Sequence, residues 1–391
     1  MQRAQLDHML NQVLDFASGT SDIIFTVNKP IQVEVHGELR DARVSPNPGP
    51  LLPFQVEAIA MCLMGRQLRL YEDQLRTGSC DLSYELSGRC RFRVNILGQK
   101  GSMAIVLRRL TSKVPTIKDL GLPDVFHEMT KEKFGLILVT GATGTGKTTS
   151  LAALIDNINV LNRKHIVTLE DPIEYVHEHK LGTVNQRELG MDFDTFASGL
   201  RAALRQAPKV ILVGEIRDRE TISIALEAAE TGHLVLGTLH TSDTGQTINR
   251  IIGMFELQEE RLIRSRLAES LKYIVSQRLL TKIGGGRIPA FEILKSNMRI
   301  REVILNGETE EKTFYSIVDG GDAYGMISFD KYLANLFYEN IVSEEMAMLN
   351  ASDKSRLAQM IDKIKSARGE KVTEIEGLEL DQDYDRKNVM L

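Results

Sequence analysis

The sequence contains no tryptophan, and aromatic residues make up only 6% of its 391 positions. Proteins that bind single-stranded nucleic acid without sequence preference usually stack the bases on aromatic side chains inside a positively charged groove. This chain has 48 Lys and Arg against 53 Asp and Glu, which gives a formal net charge of −5. The composition therefore argues against a DNA-coating protein or a nucleic-acid translocase and leaves room only for a local basic patch.

Cysteine is also scarce, because Cys62, Cys80 and Cys90 are the only three and include no CxxC pair. They cannot supply the four ligands of a structural zinc site, and an odd count without a secretory signal favours a reducing cytoplasm. The N-terminus has the pattern of an amphipathic helix and lacks the features of a signal peptide. No apolar run approaches the ~18 residues that span a bilayer. We therefore expect a cytoplasmic protein that reaches a membrane only through a partner.

The chain length allows two or three domains at about 150 residues each. Residues 1–112 alternate apolar and polar positions, as at Ile31, Val33 and Val35, which predicts an α+β domain. Prolines and glycine mark 113–124 as a linker. From 125 to 368, short apolar runs alternate with helical segments, which is typical of an α/β domain with a covered parallel sheet. The acidic stretch 369–391 is predicted to be a flexible tail.

Four apolar runs are predicted to be strands of this parallel sheet: 136–139, 166–169, 210–213 and 234–239. The first is followed by Gly141-Ala-Thr-Gly-Thr-Gly-Lys-Thr148, which matches the P-loop pattern GxxxxGK[ST] in its strand–loop–helix setting. Glycines let backbone N–H groups face phosphate oxygens, and the helix that follows adds its positive N-terminal end. A glycine-rich turn could match the pattern by chance, but this setting favours a nucleoside triphosphate site.

The motif assigns roles to its own residues. Lys147 is expected to reach the β- and γ-phosphates of ATP, and the hydroxyl of Thr148 to ligate Mg²⁺. The residues predicted to bind the nucleotide are Gly141, Thr143, Gly144, Thr145, Gly146, Lys147, Thr148 and Thr149.

Hydrolysis also requires a carboxylate near the metal, a group that orients water, and positive charge. Glu215 follows one predicted strand in the manner of a Walker B acid, Glu170 ends another, and His233 and His240 flank a third. Taken singly, acids after strands often cap helices, and histidines there are often simply hydrogen-bonded. Their order behind a P-loop favours one shared site at the ends of the strands.

Together with the P-loop, five segments resemble the secretion and type IV pilus motor ATPases, in particular the PilT/PilU retraction ATPases. They are HIVTLEDPIEYVH, VNQRELG, LRQAPKVILVGEIRDRETI, ETGHLVLGTLHT and INRIIGMF. The resemblance extends from Ser21 to Asp330. It departs at Lys209, where the family usually has an acid, and at 299–306, an altered form of a family segment. It implies a PAS-like N-terminal domain, a RecA-like P-loop ATPase domain and a hexameric ring.

The resemblance also implies roles for the acids and histidines. Glu170 would polarise the attacking water, and Glu215 would lie on the Mg²⁺ side as a metal ligand with Thr148. His233 and His240 would sense the γ-phosphate and couple its loss to domain motion.

Arginines of the N-terminal domain reach a nucleotide across a domain or subunit contact in ring motors of this kind. Arg91, Arg93 and Arg108, with Arg109, match that region. Arg89, Arg91 and Arg93 are expected on one face of a strand, and a solvated charged face is the alternative interpretation.

The function implied is an ATP-hydrolysing hexamer that powers type IV pilus retraction, and hence twitching motility, by driving pilin depolymerisation through an inner-membrane platform protein. It would lie in the cytoplasm at the inner membrane. One alternative is a PilU-like accessory subunit of a paralogous retraction ATPase, suggested by the LRQAP stretch and the tail. Another is a pilus extension or type II secretion ATPase, although those generally carry a paired-CxxC zinc module that this chain lacks.

Overall fold

The alternating runs near the N-terminus form a six-stranded antiparallel sheet in the computed structural model, which describes residues 1–110 and 113–370. Its strands β1 to β6 are Thr20–Thr26, Gln32–Val35, Glu38–Asp41, Ser79–Leu86, Cys90–Gln99 and Ser102–Arg109. Their order in the sheet is β3-β2-β1-β6-β5-β4, and every neighbouring pair is antiparallel. The predicted alternation at 31–35 is confirmed as β2.

Three helices accompany this sheet and share its core: α1 (Arg3–Phe16), α2 (Pro53–Met64) and α3 (Leu68–Thr77). Leu10 and Val56 from the helices are fully buried together with Phe25 and Phe92 from the strands. Along β4, buried and more exposed positions alternate, because successive side chains of a strand point to opposite faces.

A second set of strands lies further along the chain: β7 (Gly135–Thr140), β8 (His165–Glu170), β9 (Thr183–Glu188), β10 (Val210–Val213) and β11 (Leu234–Leu239). They follow the order β7-β11-β10-β8-β9, and the pairs β11–β10, β10–β8 and β8–β9 are parallel. The four predicted apolar strands are confirmed, and β7, β10 and β11 are buried along their whole length. The sequence pattern does not predict β9, because its residues TVNQRE are mostly polar.

One short helix precedes β7, and helices separate the later strands as the pattern predicts, except that β9 follows β8 without a helix between them. The helices are α4 (Val125–Met129), α5 (Lys147–Leu161), α6 (Phe196–Ala203) with a 3-10 turn at Leu204–Gln206, and α7 (Arg219–Glu230). The side chain of Asp218 caps α7 by accepting a hydrogen bond from the backbone N–H of Thr221 at 2.8 Å.

The remainder of the described chain is mainly helical, with α8 (Thr244–Ile252), α9 (Glu260–Ser270), α10 (Met298–Asn306), α11 (Phe314–Asp319), a 3-10 turn at Asp322–Tyr324, α12 (Phe329–Tyr338), α13 (Glu344–Leu349) and α14 (Lys354–Ala367). An antiparallel hairpin of β12 (Leu271–Thr281) and β13 (Arg287–Lys295) interrupts the helices. The sequence pattern does not predict this hairpin, because polar residues such as Lys272, Arg278 and Glu292 interrupt its apolar positions without a strict alternation.

By their internal contacts the residues form two units. The first comprises 1–138, 147–239 and 269–271, and the second comprises 139–146, 240–268 and the residues from 272 onward. Of the predicted acidic tail, 371–391 lies outside the described residues, and the predicted domain boundaries stay predictions. Within 1–110 and 113–370, no helix combines the length and apolar character needed to cross a bilayer.

We expect Phe92→Ala to destabilise the first sheet by about 3–5 kcal/mol, because Phe92 is completely buried and its removal leaves a cavity. Phe54 on α2 is 64% exposed, so Phe54→Ala should change stability by less than about 0.5 kcal/mol. Urea denaturation followed by circular dichroism measures both. Equal losses in the two variants would contradict this placement of the core.

Candidate functional site

The P-loop begins directly after β7 and is shaped by three glycines with positive φ. Gly141, Gly144 and Gly146 have φ values of 144°, 81° and 90°, a region that residues with a side chain rarely adopt. A Cβ atom on Gly141 would also lie 2.4 Å from the carbonyl oxygen of Gln277 on β12. The side-chain Nε2 of Gln277 in turn donates a hydrogen bond to the carbonyl of Thr145 at 2.7 Å. Gln277 therefore braces the loop at both ends, a role that the sequence analysis missed.

Lys147 opens α5 and is buried, with 8% of its surface exposed. Burial lowers the pKa of its ammonium group, and the nearby carboxylate of Glu215 opposes that shift. The structure thus brings the P-loop lysine and the Walker B acid close enough to interact electrostatically, as the sequence predicts for one shared site.

Glu215 is held by Arg217 through two contacts, Nε to Oε1 at 2.5 Å and Nη2 to Oε2 at 2.6 Å. The Thr148 side chain is exposed at the start of α5. A hydroxyl and a carboxylate are the hard oxygen ligands that Mg²⁺ prefers, and Mg²⁺ usually takes only one or two protein ligands beside phosphate and water. The donor set therefore fits Mg²⁺, provided that Glu215 exchanges part of its pairing with Arg217.

Glu170 is the last residue of β8, and its carboxyl group is buried. Its Oε1 accepts hydrogen bonds from Thr168 Oγ1 at 2.6 Å and from Gln186 Nε2 at 2.9 Å. Burial raises the pKa of Glu170 to about 7; the two hydrogen bonds act against that shift, and the carboxylates of Glu174 and Glu188 add to it. A carboxyl group with a pKa near the working pH is suited to act as a general base.

The parallel pairing decides which predicted residues share one edge of the sheet. Glu170 ends β8 and Glu215 follows the end of β10, so both lie at the carboxyl edge. His233 immediately precedes β11 and therefore lies at the opposite edge, six residues or about 20 Å away along the strand. Its ring Nδ1 is 3.0 Å from the carbonyl oxygen of Ala228 in α7. His240 directly follows β11 and is exposed.

Arg91 and Arg93 on β5 face acids close to Glu170. Nη2 of Arg91 is 3.0 Å from Oε2 of Glu188, which ends β9 and is paired with Glu170 in the β8–β9 register. The guanidinium of Arg93 lowers the pKa of Glu174, which burial otherwise raises. The first sheet therefore places two cations beside the acids that surround Glu170.

Two further arginines of this region, Arg108 and Arg89, have partners elsewhere. Arg108 pairs with Asp22 of the neighbouring strand β1 at 2.9 Å. The expectation that Arg89 shares a strand face with Arg91 is wrong, because β5 begins at Cys90. Arg89 instead lies in the preceding turn and donates to Asn11 and Asp15 of α1.

Thr168 and Gln186, the two donors to Glu170, were not predicted as site residues from the sequence. Thr168 stands two positions before Glu170, on the same face of the strand, and this spacing could have identified it. Gln186 lies in the VNQRELG segment, but only the strand register, which pairs it with Thr168, reveals its contact with Glu170.

Alanine substitutions at Gly144 and Gly141, two P-loop glycines with very different surroundings, test whether Gln277 braces the loop. Gly144→Ala meets no atom within 4 Å and should weaken ADP binding only by the backbone cost of positive φ, about 1–2 kcal/mol or 5–30-fold. Gly141→Ala must in addition displace the backbone of β12, so we expect it to abolish measurable ADP binding. Titration with a fluorescent ADP analogue measures both, and equal affinities would contradict the bracing by Gln277.

The Arg91–Glu188 pair predicts a difference between two neighbouring arginines. Removing one partner of a mostly buried pair leaves an unpaired charge, so Arg91→Met should cost about 3 kcal/mol. Arg93 lies 4.0 Å from Asp81 with half of its side chain exposed, so Arg93→Met should cost less than about 1 kcal/mol. Urea denaturation compares them. If Arg91→Met were as stable as Arg93→Met, the ion pair would not contribute to stability.

Comparison with known proteins places this chain among bacterial secretion and pilus motors. The family model described as type II/IV secretion system protein matches residues 66–311. The type IV pilus retractation ATPase PilT of Pseudomonas aeruginosa is 41% identical over 353 residues, which cover 90% of this chain and 99% of that protein. The type IV pilus ATPase PilU of the same organism is 36% identical, with 88% of each chain covered.

Solved structures agree with these relatives. A crystal structure of the pilus retraction motor PilT with bound ADP superposes with a TM-score of 0.81 at 40% identity, covering 90% of this chain and 99% of that one. The ATPase DotB of Legionella pneumophila gives a TM-score of 0.79 at 30% identity, with 89% and 95% covered. The predicted architecture of an N-terminal domain followed by a RecA-like ATPase domain is confirmed. By sequence and by fold, the chain belongs to the PilT/PilU retraction-ATPase family of type II/IV secretion system proteins.

Proposed function

We propose that this protein is an ATP-hydrolysing motor that powers type IV pilus retraction and thereby twitching motility. The observation that carries the proposal is the pair of acids at one sheet edge, Glu170 with a pKa near 7 and Glu215 beside Lys147, in a chain that is 41% identical to a retraction ATPase. Membership of this ATPase family implies ATP hydrolysis. We extend this to a Mg²⁺-dependent hexameric ring that acts on an inner-membrane platform protein from the cytoplasmic side.

Nucleotide binding is proposed for the P-loop and the first turn of α5. The residues concerned are Gly141, Thr143, Gly144, Thr145, Gly146, Lys147, Thr148 and Thr149. Thr148 and Glu215 would hold Mg²⁺, which when bound neutralises charge on the phosphates. Lys147 brings a fixed positive charge to the β- and γ-phosphate oxygens, and its interaction with the Glu215 carboxylate favours the protonated amine.

Glu170 is proposed to orient the attacking water and to accept its proton. Both described donors to the carboxyl group reach Oε1, so Oε2 is the oxygen left to contact water. Acceptance of the proton at Oε2 requires the ionised carboxylate, and this form prevails only above the pKa of about 7.

Arginines of the first sheet would stabilise the negative charge of the transition state. Arg91 and Arg93 are the candidates that lie close to the acids around Glu170. A supplied arginine contributes about 10³–10⁵ to the rate of phosphoryl transfer. Arg108 would act only across a subunit contact, since its guanidinium pairs with Asp22 within its own sheet. His240 would sense the γ-phosphate, and His233 would respond through α7, which it contacts at Ala228.

A second candidate function is that of an accessory subunit that strengthens a paralogous retraction ATPase. The 36% identity to PilU over 88% of the chain favours it. The intact set of Lys147, Glu170 and Glu215 argues that such a subunit would still hydrolyse ATP once it is assembled with its partner.

Replacement of Glu170 provides the main test of the motor proposal. Glu170→Gln keeps the shape of the side chain but removes the base, so kcat should fall by about 10²–10⁴ while ATP binding persists. Lys147→Ala should lose ATP binding as well. The wild-type rate should rise with pH through about 7, because burial raises the pKa of Glu170 and only the carboxylate accepts a proton.

The measurement is the Mg-ATPase rate against pH and against protein concentration, with particle mass determined in the same samples. A rate that rises as hexamers assemble supports a self-sufficient ring. Tight nucleotide binding without turnover in assembled rings would contradict the motor proposal and favour the accessory subunit.

A further inference from the structure

The side-chain amide of Gln186 uses all of its groups within the described chain. Its Nε2 donates to Oε1 of Glu170 at 2.9 Å and to the carbonyl oxygen of Tyr175 at 2.8 Å. Its Oε1 accepts a hydrogen bond from the backbone N–H of His177 at 2.7 Å. A side-chain amide with two donors and one acceptor satisfied in this way is held in one place.

The three partners also fix which way round the amide lies. If the amide were rotated by 180°, its oxygen would face a carboxylate and a carbonyl, and its NH₂ group would face a backbone N–H. All three contacts would then be repulsive, because they would oppose acceptor to acceptor or donor to donor. Gln186 therefore always presents a donor to Glu170.

The positions of two hydrogen-bond donors fix the orientation of the Glu170 carboxyl group. Thr168 approaches Oε1 from the same strand and Gln186 approaches it from the neighbouring strand β9. With Oε1 bound twice, the carboxyl group cannot rotate to exchange its oxygens without losing both hydrogen bonds. One carboxylate oxygen is thus held by both donors, while Oε2 contacts neither of them.

Gln186 also connects Glu170 to the segment that follows β8. Tyr175 supplies the carbonyl that Gln186 binds, and its hydroxyl lies 3.2 Å from Oγ1 of Thr149 in the first turn of α5. Hydrogen bonds at the two ends of Tyr175, its hydroxyl and its backbone carbonyl, therefore link the helix behind the P-loop to Gln186 and through it to Glu170.

We infer that Gln186 is a positioning residue for ATP hydrolysis, which holds Glu170 with Oε2 directed at the attacking water. The inference rests on the proposed function, in which Glu170 is the base. Gln186 itself contacts neither water nor nucleotide in this role; it acts through Glu170.

The charges around Glu170 set the direction of the expected effect. Glu174 and Glu188 raise the pKa of Glu170; Arg93 acts on Glu174, and Arg91 forms an ion pair with Glu188. The hydrogen bond from Gln186 lowers the pKa of Glu170. Loss of this donor should therefore raise it, so the base would ionise only at higher pH.

Two substitutions of Gln186 separate positioning from a structural role. Gln186→Leu removes every hydrogen bond, and Gln186→Glu keeps the acceptor for His177 but places a second carboxylate against Glu170. In a plot of kcat against pH, we expect the acidic limb to shift to higher pH by about one unit in Gln186→Leu and by more in Gln186→Glu. The reason is that one hydrogen bond to a charged group corresponds to about one pKa unit. The KM for ATP should stay within about twofold.

A merely structural role predicts the opposite order, because glutamate has nearly the shape of glutamine and leucine does not. Asn185→Leu is the matched control, since Asn185 is the exposed neighbour on the other face of β9 and should leave the profile unchanged. An unshifted acidic limb in Gln186→Glu, with Glu170→Gln inactive, would overturn the inference. A fully active Glu170→Gln would instead overturn the proposed role of Glu170.

A measurement without turnover covers the case of a partner-dependent ATPase. Infrared titration of the protein with ¹³C-labelled glutamate carboxyl groups reports the ionisation of Glu170 as the signal that is lost in Glu170→Gln. That signal should titrate near pH 7 in the wild type and at higher pH in both Gln186 variants. An unchanged midpoint in Gln186→Glu would contradict the inference directly.

Discussion

The register of β9 on β8 is the constraint on which the candidate site depends. Parallel pairing sets Gln186 beside Thr168 and Glu188 beside Glu170. As a result, Gln186 donates the hydrogen bond that orients Glu170, and Glu188 forms the ion pair with Arg91. Because side chains alternate along a strand, a register shift of one residue would turn the side chains of Gln186 and Glu188 to the opposite face of the sheet and abolish the site. A polar edge strand of six residues thus determines the chemistry of the buried strand next to it.

Burial of Glu170 near two other acids would be unfavourable without cations, since like charges in a poorly solvated region raise each other's pKa. The first sheet supplies them, with Arg91 on Glu188 and Arg93 near Glu174. Burial raises the pKa of Glu170 to about 7 against the hydrogen bonds from Thr168 and Gln186, and at this value the carboxyl group can both accept and release a proton near neutrality. The antiparallel sheet therefore contributes to the electrostatics of the parallel one, and the two cannot be understood separately.

Much of this arrangement could be predicted from the sequence, and the part that could not has a common physical reason. The apolar strands, the P-loop, Glu170 and Glu215 follow from local patterns, because a buried parallel strand and its terminal acid are adjacent in the chain. Gln186 and Gln277 could not be identified, since each acts on a segment to which only strand pairing brings it. His233 and His240 already flank a predicted strand in the sequence, but only the parallel pairing of β10 and β11 shows that His233 lies at the edge opposite to Glu215.

Arg91 forms an ion pair with Glu188 in its own chain, but the geometry of this pair leaves part of the guanidinium group for a second acceptor. Its Nη2 binds Glu188, but its Nε is buried without a hydrogen-bond partner. An unsatisfied buried donor costs about 1–3 kcal/mol, and a guanidinium has five donors in a fixed planar fork. Glu188 uses only one edge of that fork, with the same Oε2 also accepting from the backbone of Ile173. The pair therefore lacks the two parallel hydrogen bonds of an optimal pair of arginine and carboxylate. An acceptor that bound both Nε and an Nη group would interact with Arg91 more strongly than Glu188 does.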